Sequence, residues 1–204
     1  TGEIVAVPLR GDWMGNRGEL HDDERIVRPW RERRWIICRT SYRDRAVPQW
    51  AAGLYTPLFF HDEAVALAAG HRPCAECRRD RYHDFLDRWE AVTGGRPKAD
   101  ELDVVLHHSR LTDDGEQRVH SREWPSLPDG TFVRHDGTPA LVAGDAVVPW
   151  GPNGYGDHEP RPREGTAEVL TPSPTVDVLA AGYRPHISDT ALVGGHVFIV
   201  AGDI

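Results

Sequence analysis

At residues 70–77 the chain reads Gly70-His71-Arg72-Pro73-Cys74-Ala75-Glu76-Cys77. A C-x-x-C pair at a tight turn that opens a helix allows two thiolates to bind one tetrahedral metal ion. The third cysteine of the sequence, Cys38, ends a predicted strand further upstream. Thiolates are soft ligands, and a site that needs no redox chemistry favours zinc. The spacing therefore predicts a Zn²⁺ site with Cys38, Cys74 and Cys77 as ligands.

The alternatives for a C-x-x-C pair are a redox couple and two buried thiols. A redox couple normally lies in a βαβ unit, and the residues around Cys74 predict none. Three cysteines are too few, and odd in number, for a disulfide framework. We therefore expect reduced thiols in a cytoplasmic protein, since the N-terminal residues predict no secretory signal.

The composition indicates a folded domain. The chain has 204 residues, of which 39% are hydrophobic and 27% are charged. This suits one ordinary domain, or two small ones that share a core, and it excludes a disordered tail. No apolar run reaches the roughly 18 residues that a membrane-spanning helix needs. We therefore expect no membrane partner.

Charge is distributed unevenly along the sequence. The formal net charge of −8 argues against a strongly basic protein that coats nucleic acid regardless of sequence. Residues 101–204 carry 7 basic and 16 acidic side chains, whereas residues 1–100 carry 17 and 16. Eight arginines fall between residues 25 and 45. Guanidinium groups suit phosphate better than ammonium groups do, so this cluster is the candidate surface for nucleic acid.

The first half of the chain predicts short strands and two helices around the cysteines. Asp62 and Gly70 are typical of the two ends of a short helix, and Gly94 ends a longer one. Residues 1–30 contain several glycines and are predicted to be irregular. The expected strands cover residues 35–38 and 57–60, and the expected helices cover residues 62–70 and 76–92.

The second half predicts mostly strands, separated by turns such as Pro128-Asp129-Gly130. The fold class is therefore α+β. A zinc-binding part with an irregular N-terminal arm is expected over residues 1–95. A small, mostly antiparallel β part is expected over residues 96–204, either separate or packed with the first as one domain. The expected strands cover residues 103–107, 131–134, 139–142, 145–149, 166–170 and 196–200, and a helix is expected at residues 174–181.

The order of motifs around the cysteines recurs in a known family. Cys38-Arg39-Thr40-Ser41-Tyr42-Arg43 is followed by Leu58-Phe59-Phe60 and then by the run from Glu63-Ala64 to Cys77. This order resembles the zinc domain of the Ada adaptive-response proteins. That domain has a Cys-Arg-Pro-Ser-Cys opening, an aromatic strand, a Glu-Ala helix of small residues, a Gly-aromatic-Arg-Pro turn and a C-x-x-C pair. The resemblance covers about residues 35–80, less than a quarter of the chain.

The resemblance implies recognition or repair of alkylated nucleic acid. In the family, four thiolates bind zinc, and the first cysteine takes a methyl group from a DNA phosphotriester. That position corresponds to Cys38, which is therefore the candidate alkyl acceptor. Arginine contacts to phosphate position a protein on nucleic acid. The candidate contacts are Arg34, Arg39, Arg43, Arg45 and Arg72.

The sequence departs from the family pattern at Tyr42, which occupies the place of the second cysteine. A neutral phenol is a poor zinc ligand, so the fourth position needs another group. His61, which precedes the short helix, is the preferred candidate, and water is a further one. We expect His71 to pack against aromatic side chains and His83 to lie on the surface. The remaining candidates, His107 and His108, come from the second half of the chain.

A zinc-dependent enzyme of the hydrolase type is the main alternative. Water in the fourth position would make the metal catalytic, because zinc lowers the pKa of bound water. Glu63 or Glu76 would then act as general base on a small molecule or a nucleobase. His61-Asp62-Glu63 and Pro73-Cys74-Ala75-Glu76-Cys77 also echo zinc deaminases. That fold needs a strand between these elements, and the sequence predicts a helix there. A purely structural zinc is the third possibility.

Overall fold

The computed structural model describes residues 4–43 and 48–192, and within them the chain has an α+β fold, as predicted. No helix in these two ranges is long and apolar enough to cross a membrane. The expected strand at residues 196–200 lies outside the described ranges. The first part contains β1 (Trp13–Asn16), β2 (His21–Asp22), β3 (Arg25–Ile26), β4 (Ile36–Arg39), β5 (Leu58–Phe60), α1 (Glu63–Ala68), β6 (Arg72–Pro73) and α2 (Arg79–Thr93).

Four of these strands form a small sheet in the order β5-β1-β4-β6. β1 runs antiparallel to β5 and β4, and β6 runs parallel to β4. The prediction of an irregular segment over residues 1–30 is therefore wrong at β1. Gly15 lies within this strand, and a Cβ there would lie 2.3 Å from the Phe60 ring. The glycine is required by close packing and does not break the strand.

Both predicted helices are present, but α1 ends at Ala68 with Ala69 as its C-cap, and α2 begins at Arg79 instead of residue 76. The Asp62 side chain caps α1 by accepting a hydrogen bond from the Val65 amide at 2.8 Å. Gly70 follows the last turn of α1 with a positive φ. Gly94 caps α2 in the left-handed conformation.

The second part begins with a helix at a position where the sequence predicts a strand. Residues 103–107, predicted as a strand, lie inside α3 (Ala99–Arg110). Leu102 and Leu106 are buried on one side of this helix, and the Glu101 side chain accepts a hydrogen bond from the Lys98 amide at its start. The pair Val104-Val105 favours a strand locally, but the helical spacing of the buried leucines outweighs that preference.

The remaining strands form a second, antiparallel sheet in the order β11-β10-β9-β8-β13-β7, with β12 paired to β10. The predicted strands at residues 131–134, 139–142, 145–149 and 166–170 are confirmed to within two residues, as is the short helix. The elements are β7 (His120–Glu123), a 3₁₀ turn (Trp124–Ser126), β8 (Phe132–His135), β9 (Thr138–Ala143), β10 (Ala146–Gly151), β11 (Gly154–Tyr155), β12 (Glu159–Pro160), β13 (Thr166–Val169), α4 (Ser173–Ala180) and α5 (Asp189–Leu192).

The largest core cluster draws on both parts of the chain. Ile37 and Phe60 of the small sheet share it with α1 and α2, and also with Leu102 of α3, Leu179 of α4 and Tyr183. The small sheet is therefore anchored on its inner face by helices from both halves. Its outer face carries the candidate metal centre.

Candidate metal centre

Strand pairing brings the first two cysteines together. β4 and β6 run side by side in a register that pairs Ile37 with Pro73, so Cys38 and Cys74 follow at neighbouring positions. The Cys74 amide donates a hydrogen bond to the Ile37 carbonyl at 3.0 Å. Cys77 arrives from the turn that precedes α2. The three sulfur atoms all lie within 4.8 Å of one another, and the three residues are nearly buried.

Without a cation, the three sulfurs share protons. Hydrogen bonds from Cys38 and Cys77 lower the pKa of Cys74 to about 2. The same hydrogen bond to Cys74, together with burial, raises the pKa of Cys38 far above its ordinary value. These opposite shifts arise because the three cysteines share hydrogen bonds in one buried cluster. A bound cation would favour the thiolate form at all three positions, because metal-bound thiols lose their protons. Three close cysteines of this kind are able to bind a metal ion.

The three sulfurs differ in their backbone contacts. The Arg39 amide donates to the sulfur of Cys77 and the Glu76 amide donates to the sulfur of Cys74, both at 3.4 Å. Within the described ranges, no backbone amide donates to the sulfur of Cys38. Hydrogen bonds to a ligand sulfur draw off its electron density. If all three sulfurs were metal-bound thiolates, Cys38 would therefore be the one whose electron density no backbone amide in the described ranges reduces.

The outer face of the sheet places two further side chains in line with Cys38. The strand register pairs Cys38 with Met14 of β1, and Met14 with Phe59 of β5. Met14 and Tyr42 pack against the cysteine cluster, whereas Phe59 is 57% exposed. Sequence analysis missed Met14 and Phe59 as site residues. The available signal is the single methionine of the sequence, between Trp13 and Gly15, but the local pattern does not predict the strand β1 that places it beside Cys38.

His61 is not a ligand of this centre, and its prediction as fourth ligand is wrong. Its ring lies against Trp150 and Tyr155, with centroids 5.3 and 5.7 Å away. Its Nε2 atom lies 3.4 Å from the Thr190 hydroxyl. The residue precedes the cap of α1, and this turn directs it toward the second sheet and away from the cysteines.

The other candidate histidines also lie elsewhere. His71 is buried between Trp35 and Phe60 and accepts a hydrogen bond from Arg17, so the expected aromatic packing is found. His83 is exposed on α2, as expected. His107 packs against Trp30. Across residues 4–43 and 48–192, no histidine, aspartate or glutamate joins the three sulfurs within 4.8 Å.

Glu63 is held in a buried ion-pair network. It is fully buried, and Arg78 lies 2.9 Å from its Oε1 atom. The Tyr183 hydroxyl donates to Oε1 at 2.5 Å, and the His186 amide donates to Oε2 at 2.9 Å. Burial alone would raise the pKa of Glu63, but Arg78 and the hydrogen bonds from His186 and Tyr183 together outweigh it and lower the pKa. A carboxylate whose oxygens are occupied in this way does not serve as a general base, so this prediction is corrected.

The candidate phosphate-binding arginines have different surroundings. Arg72 is buried and forms a bidentate pair with Asp103, at 2.8 and 2.7 Å, so its assignment to nucleic acid is wrong. Arg34 is exposed but pairs with Glu32 at 2.8 Å. Arg39 is exposed at the end of β4. Arg43 is exposed beside Tyr42, 3.9 Å from Glu76. Arg45 lies outside the described residues.

The chain was compared with protein-family models, with curated proteins and with solved structures, and none of these three comparisons found a match.

Proposed function

We propose that this protein binds one Zn²⁺ through Cys38, Cys74 and Cys77 and acts on alkylated nucleic acid, with Cys38 as alkyl acceptor. The observation that carries the proposal is the convergence of the three sulfurs within 4.8 Å. The donor set fits zinc, because soft thiolates at tetrahedral spacing are its usual structural ligands. Bound zinc keeps the thiolates deprotonated at neutral pH.

Cys38 is the sulfur best suited to attack an alkyl group. The thiolate is the nucleophilic form of cysteine, and of the three sulfurs only that of Cys38 lacks a backbone donor in the described ranges. In the proposed step, the Cys38 sulfur forms a bond to the alkyl carbon of a phosphotriester. The bond between that carbon and the ester oxygen breaks, and the oxygen leaves with the electron pair as a phosphodiester anion. The product is an S-alkyl cysteine, so the protein reacts once.

The surface around Cys38 offers contacts for nucleic acid. Arg39 follows Cys38 directly, and Arg43 is exposed nearby, so both guanidinium groups are placed to contact phosphate. Phe59 lies in the same row of side chains and is exposed enough to stack on an unpaired base. The net charge of −8 opposes binding. We therefore expect weak binding that falls steeply with salt.

One observation favours a second candidate, a hydrolytic zinc enzyme. The described residues supply no fourth ligand from cysteine, histidine, aspartate or glutamate. Such a site leaves a coordination position for water, which zinc activates. The network around Glu63 removes one of the two general bases that the sequence suggested. The other, Glu76, is exposed and lies 3.9 Å from Arg43. We rank this candidate second, because its remaining base is an exposed carboxylate beside an arginine.

The decisive experiment is intact-mass spectrometry after incubation with DNA that carries methyl phosphotriesters. Wild-type protein should gain one methyl group, which peptide mapping should locate on Cys38. Arg39→Gln should slow the gain at low salt, whereas Arg34→Gln, which removes a guanidinium already paired with Glu32, should leave the rate unchanged. Release of a product with turnover and no mass gain would favour the hydrolase. If the zinc-loaded protein shows neither a mass gain nor turnover, the zinc has a structural role only.

A further inference from the structure

A cavity of about 450 Å³ lies away from the cysteines, between the small sheet, the end of α1 and the end of α3. Met14 of β1 pairs with Cys38, whereas Arg17, the residue directly after β1, lines the cavity. The volume is in the range of ligand-binding pockets. Its walls include Arg17, Trp30, Trp35, Arg110, Gln117 and Pro172.

Two guanidinium groups are buried in this wall. Arg17 is 3% exposed and Arg110 is 2% exposed. Both stack on the ring of Trp35, with centroid distances of 3.9 and 4.0 Å. Burial lowers the pKa of each arginine to about 9, so both remain cationic at neutral pH. The cavity wall therefore carries two buried positive charges that water screens poorly, whereas a third arginine of the wall, Arg134, is exposed and pairs with Glu168.

Within residues 4–43 and 48–192, no carboxylate lies within ion-pair distance of either guanidinium, although the charge of Asp103 opposes part of the effect of burial on the pKa of Arg110. Arg17 donates to His71 at 3.2 Å and to the Pro29 carbonyl at 3.4 Å. Arg110 donates to the Gly70 carbonyl at 2.7 Å and to the Arg33 carbonyl, and it lies 3.0 Å from His107. Its buried Nε atom has no hydrogen-bond partner. These neutral acceptors orient the two guanidinium groups without cancelling their charges.

Among the residues that the structure describes, two other arginines are equally buried, and both are paired with carboxylates. Arg72 forms a bidentate pair with Asp103, and Arg78 pairs with Glu63. Buried charges without counterions are costly, so proteins pair them as a rule. This chain follows that rule at the two positions outside the cavity and departs from it at the two positions that line the cavity. Glu116 also lines the cavity, but it is exposed and lies within ion-pair distance of neither arginine.

We propose that this cavity binds a small organic anion, a carboxylate or phosphate on a planar body, with the anionic group against Arg17 and Arg110 and the planar body against Trp30. Arginine presents several donors in a fixed plane that match either anion. Trp30 is partly buried and supplies an aromatic wall. The Gln117 amide lies at the same wall, held by the carbonyls of Ala68 and Leu170.

Isothermal titration calorimetry on the zinc-loaded chain tests this site. The probes are adenosine 5′-monophosphate, indole-3-acetate, neutral adenosine and inorganic phosphate. We expect binding of at least one of the two aromatic anions, no binding of adenosine, and weaker binding of inorganic phosphate. Tighter binding of adenosine 5′-monophosphate would indicate a phosphate ligand, and tighter binding of indole-3-acetate would indicate a carboxylate ligand. Binding of adenosine as strong as that of the nucleotide, or no binding of either aromatic anion at millimolar concentration, would overturn the proposal.

Variants locate the site. Arg17→Lys keeps the charge but loses the planar fork, and Trp30→Ala removes the aromatic wall, so each should weaken binding at least tenfold. Arg96→Gln removes an exposed arginine from the loop between α2 and α3 and is the control for net charge. Arg17→Lys and Trp30→Ala should both keep the wild-type zinc content, which separates this site from the proposed alkyl acceptor. If Arg17→Lys and Trp30→Ala fold and both retain wild-type affinity, the cavity is not the binding site.

Discussion

Glu63 and Arg78 form a fully enclosed ion pair, 2.9 Å between Oε1 and the guanidinium nitrogen, that joins the start of α1 to the residue directly after Cys77. The Arg78 guanidinium also lies over the Trp13 ring, with a centroid distance of 3.9 Å. The pair therefore links three elements around the cysteine turn: β1, α1 and the start of α2. Its role is to hold the turn in place.

Glu63→Gln should destabilise the protein strongly. The substitution keeps the shape of the side chain but leaves the Arg78 charge buried without a counterion, which typically costs about 3–5 kcal/mol. Urea denaturation of the zinc-loaded protein measures the loss. The control is Glu90→Gln, which removes one acceptor of the exposed Arg96 and should change stability by less than about 1 kcal/mol. Unchanged stability with lost activity would instead restore Glu63 as a general base.

Metal content should depend on the three cysteines and not on Tyr42. Wild-type protein should contain one zinc per chain, and Cys74→Ser should lose it, because two thiolates hold the ion poorly. Tyr42→Phe removes only the phenol oxygen from a ring that packs against the cluster, so it should retain the zinc. Elemental analysis of untagged protein gives the ratio. Zinc retained in Cys74→Ser, or lost in Tyr42→Phe, would contradict the proposed ligand set.

The sequence was sufficient for the parts of the fold that local patterns specify. The spacing of Cys74 and Cys77 and the caps at Asp62 and Gly94 are local signals, and the structure confirms them. Strand β1 and helix α3 depend on distant partners. Gly15 is in a strand because the Phe60 ring needs its space, and Asp103 is on a helix whose buried side meets Arg72.

The candidate site was likewise predictable only where a local sequence pattern determines it. The three sulfurs follow from motif spacing, whereas the roles of Glu63 and Arg72 depend on burial, which residue type alone does not reveal. A buried arginine and an exposed one look alike in a sequence. The partner carboxylates that distinguish them, Asp103 and Glu63, lie 31 and 15 positions away from their arginines.

The stability of the protein should fall as the pH drops through the range of histidine titration. Burial lowers the pKa of His71 well below its ordinary value, and the charges of Arg17 and Arg110 lower it further. The folded state therefore binds fewer protons than the unfolded state below pH about 6.5. Stability is complete above that pH and is lost below it, by up to about 1.4 kcal/mol per pH unit for each such histidine.

Denaturation curves from pH 7.5 to 5 measure this slope. His71→Gln keeps a hydrogen-bond acceptor for Arg17 and should flatten the slope, although it lowers stability at pH 7.5. His107, whose pKa burial lowers to about 4, contributes in the same direction and should leave a residual slope. His83→Gln, on the exposed side of α2, should reproduce the wild-type curve. An unchanged slope in His71→Gln would show that His71 is not the titrating group.

Two of the candidate phosphate-binding arginines should affect different properties. Arg39 should affect nucleic-acid binding, and Arg72 should affect the stability of the fold. Arg39 is exposed beside Cys38, so Arg39→Gln should weaken binding of single-stranded DNA and reduce the slope of log K against log salt by about 0.7, with little change in stability. Arg72 is buried against Asp103, so Arg72→Gln should lower the free energy of unfolding by about 3–5 kcal/mol. At temperatures where Arg72→Gln is still folded, it should retain the wild-type salt slope. Fluorescence anisotropy at several salt concentrations measures the slopes. If the slope is reduced in Arg72→Gln but equals that of the wild type in Arg39→Gln, the nucleic acid binds to a different face of the protein.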